Sequence, residues 1–233
     1  EYIGSNPKGY VKWFQDRMAV RRQALRDQYC QAHRDVIKSQ ADIETLKEYH
    51  YKTPLQKAIQ ILKRHRDVMF DGDTNHVKPI SIIITTIAAE LYNNEDNIVD
   101  TLVSILTKAE GYIWAHKIGD EFHVDNPSYT GGDTENFADK WNEHPERAAA
   151  FFRWLAKARA DLIDTKLYGF ARVQMADNIK KSLGEVTQNR VFAQMAEEER
   201  QSITAQQRKL DPKTGSITES GSIPITRSHH YGA

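Results

Sequence analysis

A mainly α fold is predicted by three observations. Apolar residues recur at helical spacing in one segment after another. No internal repeat and no convincing β-rich stretch interrupts them. The clearest local start signal, Thr53-Pro54-Leu55-Gln56, is that of a helix: threonine to cap, proline at the first helical position and glutamine to close a capping box. A length of 233 residues suffices for one or two domains with a proper core. Lys+Arg and Asp+Glu each number 32, so net charge gives no global nucleic-acid or membrane signature. The charge is nevertheless uneven: residues 1–70 hold 14 Lys/Arg against 8 Asp/Glu, whereas 71–145 hold 4 against 14. The basic third suits either an anion site or solvated helix faces.

Along the chain, Ser5-Asn-Pro-Lys-Gly9 reads as a turn. Tyr10 to about Tyr51 reads as two helices or one bent helix, with Val11, Phe14, Met18, Leu25, Tyr29, Val36, Ile43 and Leu46 as an imperfect apolar stripe. After the Thr53 cap, Leu55, Ala58, Ile59, Leu62 and Met69 build one face. The segment Ile80–Leu91 favours strand by its isoleucines, but its length favours a buried helix. Asn97–Tyr112 is again helical, 116–134 is loop, and further helices are expected at roughly 135–165, 172–183 and 188–209. From Leu210 Gly, Ser, Thr and Pro dominate, which predicts a flexible tail. The expected division is therefore 1–52, 53–209 and 210–233.

Cys30 is the only cysteine, which excludes an intrachain disulfide and suits a reducing cytoplasm. No 18-residue apolar run spans a membrane. The opening Glu1-Tyr-Ile-Gly-Ser, without an initiator Met, reads as a piece of a longer protein.

Among charged constellations Lys63, Arg64 and Arg66 come first. Lys63 follows Leu62 of the apolar stripe, so its stem can cover the core edge while its ammonium reaches a cleft. Such an ammonium is compensated by an anion, a phosphate above all; the alternative is a solvated helix end complementing the C-terminal dipole. Asp71-Gly72-Asp73 has the composition of a two-metal carboxylate pair, but it follows a helix and contains glycine, which reads as a turn. The nine histidines form no zinc pattern, and neither a P-loop nor a nucleophile elbow occurs, so no metal ligand or catalytic residue is assigned. Trp13, Trp141 and Trp154 read as core anchors.

Five phrases in series carry a resemblance: Ser5-Asn-Pro-Lys-Gly-Tyr10 with Trp13-Phe14, Leu55–Phe70, Lys78–Ile87, Asp125-Asn-Pro-Ser128 and Glu135-Asn-Phe-Ala-Asp-Lys-Trp141. In this order they resemble the bacterial CD-NTases of CBASS antiphage defence, relatives of oligoadenylate synthetase and cyclic GMP-AMP synthase. The resemblance covers residues 1 to about 165 and matches only the helical C-terminal lobe of such nucleotidyltransferases. It implies that the mixed-sheet catalytic lobe, with its Mg2+-binding acids, lies upstream and is largely absent from this chain. It further implies that Lys63 contacts the donor triphosphate and that Thr74-Asn-His-Val-Lys78 corresponds to a Ser-x-x-x-Lys phrase beside the donor. Asn75 stands where cyclic GMP-AMP synthase has a base-stacking aromatic, and Ser5 falls near the acceptor approach. The tail resembles CD-NTase C-termini that a ubiquitin-transfer-like partner conjugates, which marks Gly232 and Ala233.

The implied function is the C-terminal part of a cytoplasmic enzyme that joins nucleoside triphosphates into cyclic or linear oligonucleotide second messengers, inactive as this piece alone. The competing reading is a non-catalytic helical scaffold or adaptor that binds protein or nucleic acid through its basic face.

Overall fold

The helix that opens the structure starts where a turn is expected, and the local chemistry explains why. Asn6 accepts the Gly9 N–H at 3.0 Å through its side chain, and Pro7 occupies the first helical position, giving α1, Pro7–Arg17. A Cβ on Gly9 would run into the Asn6 side chain, so glycine leaves room for the cap. A break at Met18 separates α1 from α2, Ala19–Ala32, which settles the expected long region as two helices at this point.

A computed structural model describes residues 6–32, 52–129 and 135–164, together with 180–187, 189–190, 193 and the strand positions 209–210, 217–218 and 223–224. The chain divides into two compact units, 1–170 and 171–233. The first is helical. It continues with α3, Pro54–Met69; α4, Ser81–Leu91; α5, Ile98–Ala115; α6, Asp139–Glu143; and α7, Pro145–Arg159, which runs on as a π-helical turn over Ala160–Asp164. In the second unit, positions 180–183 and 185–187 are helical, and three two-residue strands, β1 (Lys209–Leu210), β2 (Ile217–Thr218) and β3 (Ile223–Pro224), pair antiparallel in the order β2-β1-β3. Their register places Lys209 opposite Thr218 and Pro224. Two of these strands fall within the stretch that sequence reads as a tail. Among the described residues no helix is long and apolar enough to cross a membrane.

The core lies between α3, α4, α5 and α7. Leu55, Ala58, Ile59 and Leu62 of α3 are buried, as their spacing predicts. On α4 the isoleucines Ile83, Ile84 and Ile87 are buried with Ala88 and Ala89, so burial on several sides and not strand pairing accounts for the apolar run. Leu102, Ile105, Leu106 and Ala109 supply the α5 face, and Phe151, Trp154 and Leu155 supply α7. Burying side chains of this size stabilises by about 1.5–3 kcal/mol each before entropy is counted.

Trp141 and Trp154 are buried, Trp13 packs half-buried against the core, and Met18 is buried. Val11 of the expected stripe is 55% exposed. Val36, Ile43 and Leu46 lie outside the described residues.

The loop before α6 is held by amides. Asn136 accepts the Val124 and Ala138 N–H groups through its side-chain oxygen and donates to the Phe122 carbonyl. Asn126 donates to Glu135 at 2.7 Å and accepts from Ser128, whose own hydroxyl donates to the Asn6 carbonyl. These contacts seat the start of α1 on the loop, and the Tyr10–Thr86 hydroxyl pair at 2.9 Å seats α1 on α4.

Candidate functional site

The predicted capping box fixes the start of α3: Thr53 Oγ1 accepts the Gln56 N–H at 3.3 Å while Gln56 Oε1 accepts the Thr53 N–H at 2.9 Å. With its origin set, the helix places Leu62 and His65 inward and leaves Lys63 half-buried at the core edge. Burial, and secondarily the nearby Arg66 guanidinium, pull the Lys63 ammonium below its ordinary pKa, while Asp67 one turn on opposes them. Among the described residues Lys63 has no hydrogen bond or ion pair. A half-desolvated cation without a partner is the local condition that an incoming anion relieves.

Arg66, three residues on, is the reverse case. It is buried, and its guanidinium donates to the Pro79 carbonyl at 3.0 Å, to Ser81 Oγ at 2.8 Å and to Asp67 Oδ1 at 2.7 Å. These bonds tie the end of α3 to the start of α4, which has no side-chain cap of its own. The same Asp67 oxygen takes Lys78 Nζ at 2.7 Å. Burial alone would raise the Asp67 carboxyl, but the bonds from Lys78 and Arg66 outweigh it and hold it below the usual carboxylate value. Two cations thus pair with one carboxylate, and Lys63 stands nearby without an ion pair.

The loop between α3 and α4 is shaped by Asp73, whose carboxylate accepts the N–H groups of Asn75, Val77 and Lys78 at 2.9–3.0 Å. Gly72 takes φ 74° and His76 φ 54° in this loop. Asp73 is therefore an organiser of the turn, in agreement with the reading of Asp71-Gly72-Asp73 as a turn. Among the described residues no group of three or more His, Cys, Asp or Glu could hold a metal ion. Thr74 is exposed on the loop and Lys78 is about 41% exposed at its end. Asp67, Phe70, Asp73 and Lys78 wall an open cleft of about 510 Å³ there.

Structure therefore pairs Lys78 with Asp67, leaves Lys63 near that carboxylate without an ion pair, and leaves Thr74 on the adjoining loop. Arg64 is exposed. Ser5, Gly232 and Ala233 lie outside the described residues. Asp67 escaped the sequence reading, although its position four residues after Lys63 is a visible signal for a helical ion pair.

Behind this surface, buried His65 places Nε2 3.2 Å from Asp161 Oδ2, and Lys157 Nζ stands 2.6 Å from the other oxygen of that carboxylate. Among the described residues the His65 Nδ1 atom has no hydrogen-bond partner. Burial pulls the imidazole below its ordinary pKa, against the opposing effect of Asp161.

The chain is 32% identical over 165 residues to a c-di-GMP synthase of Roseivirga ehrenbergii, across 71% of this chain and 40% of that protein. It also superimposes on the Bradyrhizobium diazoefficiens CD-NTase CdnG in complex with GTP, with a TM-score of 0.57, 20% identity, and coverage of 82% of this chain and 55% of that one. The chain is therefore similar in sequence to a c-di-GMP synthase and in fold to a CD-NTase. No family model matches it. The chain spans about two fifths of the length of the curated relative and just over half of the solved one. The likeness to CdnG lies in the fold, and the described helices of the first unit are the part that carries the cationic cluster.

Proposed function

We propose that this chain is the helical part of a nucleotidyltransferase that joins nucleoside triphosphates into cyclic or linear oligonucleotides for antiphage defence. The reading rests on the half-buried, unpartnered ammonium of Lys63 beside the Asp67–Lys78 pair. The curated relative is named a c-di-GMP synthase and the structural relative was solved with GTP, which supports a nucleoside triphosphate as the anion.

In the reaction, a ribose hydroxyl attacks an α-phosphate and pyrophosphate leaves. The part assigned to this chain is electrostatic. Lys63 and Lys78 meet the β- and γ-phosphates, Thr74 donates its hydroxyl to a phosphate oxygen, and the cations offset charge that grows on the leaving group. Being fixed by α3 and by the Asp73 turn, they need little rearrangement as that charge develops. The metal-binding acids are assigned to the mixed-sheet lobe that the resemblance implies, and no step here runs through a metal.

The test is titration of GTP into the chain and into Lys63→Ala. Loss of one charge-assisted contact is expected to weaken binding by about 1–3 kcal/mol, with the fold retained by circular dichroism. Unchanged affinity would favour a scaffold whose basic face serves another partner. The chain on its own is expected to make no oligonucleotide from the four triphosphates, and product in that assay would overturn the assignment of the acids to another lobe.

A further inference from the structure

A cleft of about 370 Å³ opens between the end of α5, the turn at 118–121 and the corner where α6 meets α7. Its walls are aromatic. Trp114 stacks on Phe152 with ring centroids 5.6 Å apart, and Phe122 meets Trp114, Phe152 and Trp141 at 5.4, 5.6 and 5.8 Å. Trp114 is nevertheless 52% exposed, and Ile118, four residues on, is 65% exposed. Large apolar side chains left in water beside a cleft are the mark of a contact surface.

Two features give the cleft a sign. Among the described residues its one charged lining residue is Asp120. A turn closed by reciprocal Ile118–Glu121 backbone bonds of 3.0 and 3.1 Å, with Gly119 at φ 61°, carries Asp120 at its tip. The Asp120 carboxylate is exposed and, among the described residues, has no hydrogen bond or ion pair. Asn142, also at the wall, is engaged in accepting the Phe122 N–H at 2.9 Å. The second feature is that the rings already hold a cation. Lys117 Nζ lies 5.4 Å from the Trp114 centroid and 4.9 Å from that of Phe122, and among the described residues this ammonium has no hydrogen bond or ion pair. Aromatic faces attract cations through their negative π clouds. Residues 110–125 hold 4 Asp/Glu against 1 Lys/Arg, so the surroundings repel an anion and draw a cation.

We infer that this cleft docks a basic segment of a partner protein, whose arginine enters it and displaces the Lys117 ammonium from the rings. The guanidinium lies flat on Trp114 and directs its N–H groups to Asp120, while an apolar neighbour in the segment rests on Ile118. Arginine suits the cleft better than lysine because its plane stacks on indole and its fork matches a carboxylate. The inference is independent of the donor-triphosphate reading and shares no residue with the Lys63–Asp67–Lys78 cluster.

Fluorine NMR of the full chain, with its four tryptophans labelled as 5-fluorotryptophan, tests the surface. Acetyl-Leu-Arg-Leu-Arg-amide is expected to shift the Trp114 resonance saturably and to leave those of Trp13 and Trp154 in place. Acetyl-Leu-Glu-Leu-Glu-amide should move none of them. Asp120→Asn should weaken the Arg peptide about two- to fivefold. Lys117→Ala should tighten it by a similar factor, because no resident cation then competes for the rings. The direction of that last change separates the readings: a site for an anion would lose affinity with Lys117. Four results, each in a chain with an unchanged helical spectrum, would overturn the inference. They are an unmoved Trp114 resonance, weaker peptide binding in Lys117→Ala, displacement of the peptide by GTP, and spermidine acting as strongly as the peptide. None of them bears on Lys63, whose part is read separately by GTP titration.

Discussion

Arg17 and Lys63 are basic residues on the flanks of two helices in the basic third of the chain, and the fold uses them in opposite ways. Arg17 directs Nε to the Ala89 carbonyl at 2.7 Å and Nη2 to those of Glu90 and Tyr92 at 2.8 and 3.0 Å, which closes the C-terminal end of α4. Arg21 follows suit with the Asp96 carbonyl and carboxylate. Lys63 closes nothing. The lesson is that an excess of positive charge in sequence becomes available to a ligand only after the fold has taken its share. Among the described residues Arg17, Arg21 and Arg66 are taken, whereas Lys63 keeps a half-buried ammonium with no ion pair.

The contrast can be broken by removing members of each group. Arg66→Ala should have the largest effect on stability, about 3–5 kcal/mol by urea denaturation, because it strips a buried cation from Asp67 and unties α3 from α4. Arg17→Ala should cost about 2–3 kcal/mol, since three carbonyls lose a charged donor but the helix end can take up water. Arg17→Ala should not alter nucleotide affinity in the population that remains folded. If Arg17→Ala weakened GTP binding as much as Lys63→Ala does, the division between structural and available cations would fail.

His65 sharpens the comparison through pH. Its folded-state pKa lies below the ordinary imidazole value, so the unfolded chain takes up more protons in that window. Stability is therefore complete above the unfolded value and declines as pH falls toward the folded one. His65→Gln should flatten that decline in thermal melts between about pH 7 and pH 5; an unchanged slope would remove His65 as its cause. Smallest of all, Lys12→Ala breaks an exposed i,i+4 pair with Asp16 at 2.8 Å and should change stability by no more than about 0.5 kcal/mol.

Much of the fold was legible because its signals are local. Thr53, Pro54 and Gln56 form a cap from residues three apart, and the length of the Ile80–Leu91 run decided between helix and strand. The amide-built loop was not legible in the same way: Asn126 falls in the stretch read as loop and Asn136 in the helix expected from about 135, and their bonds reach residues up to fourteen positions away. Arg17 was hidden for the same reason, since its carbonyl partners are 72 to 75 positions distant. At the site, Lys63 could be picked out from its place beside an apolar stripe. The structural role of Arg66 could not, because whether a guanidinium is paired depends on neighbours contributed by separate segments.

The Asp73 turn has a kinetic corollary. Since its carboxylate already engages three amides of the loop, Lys78 is presented at a settled position before any nucleotide arrives, and those amides are not available to cradle a phosphate themselves. Capture should then proceed at the pace of diffusion and electrostatic attraction, slowing smoothly as salt is added, without the lag of a segment that must first rearrange.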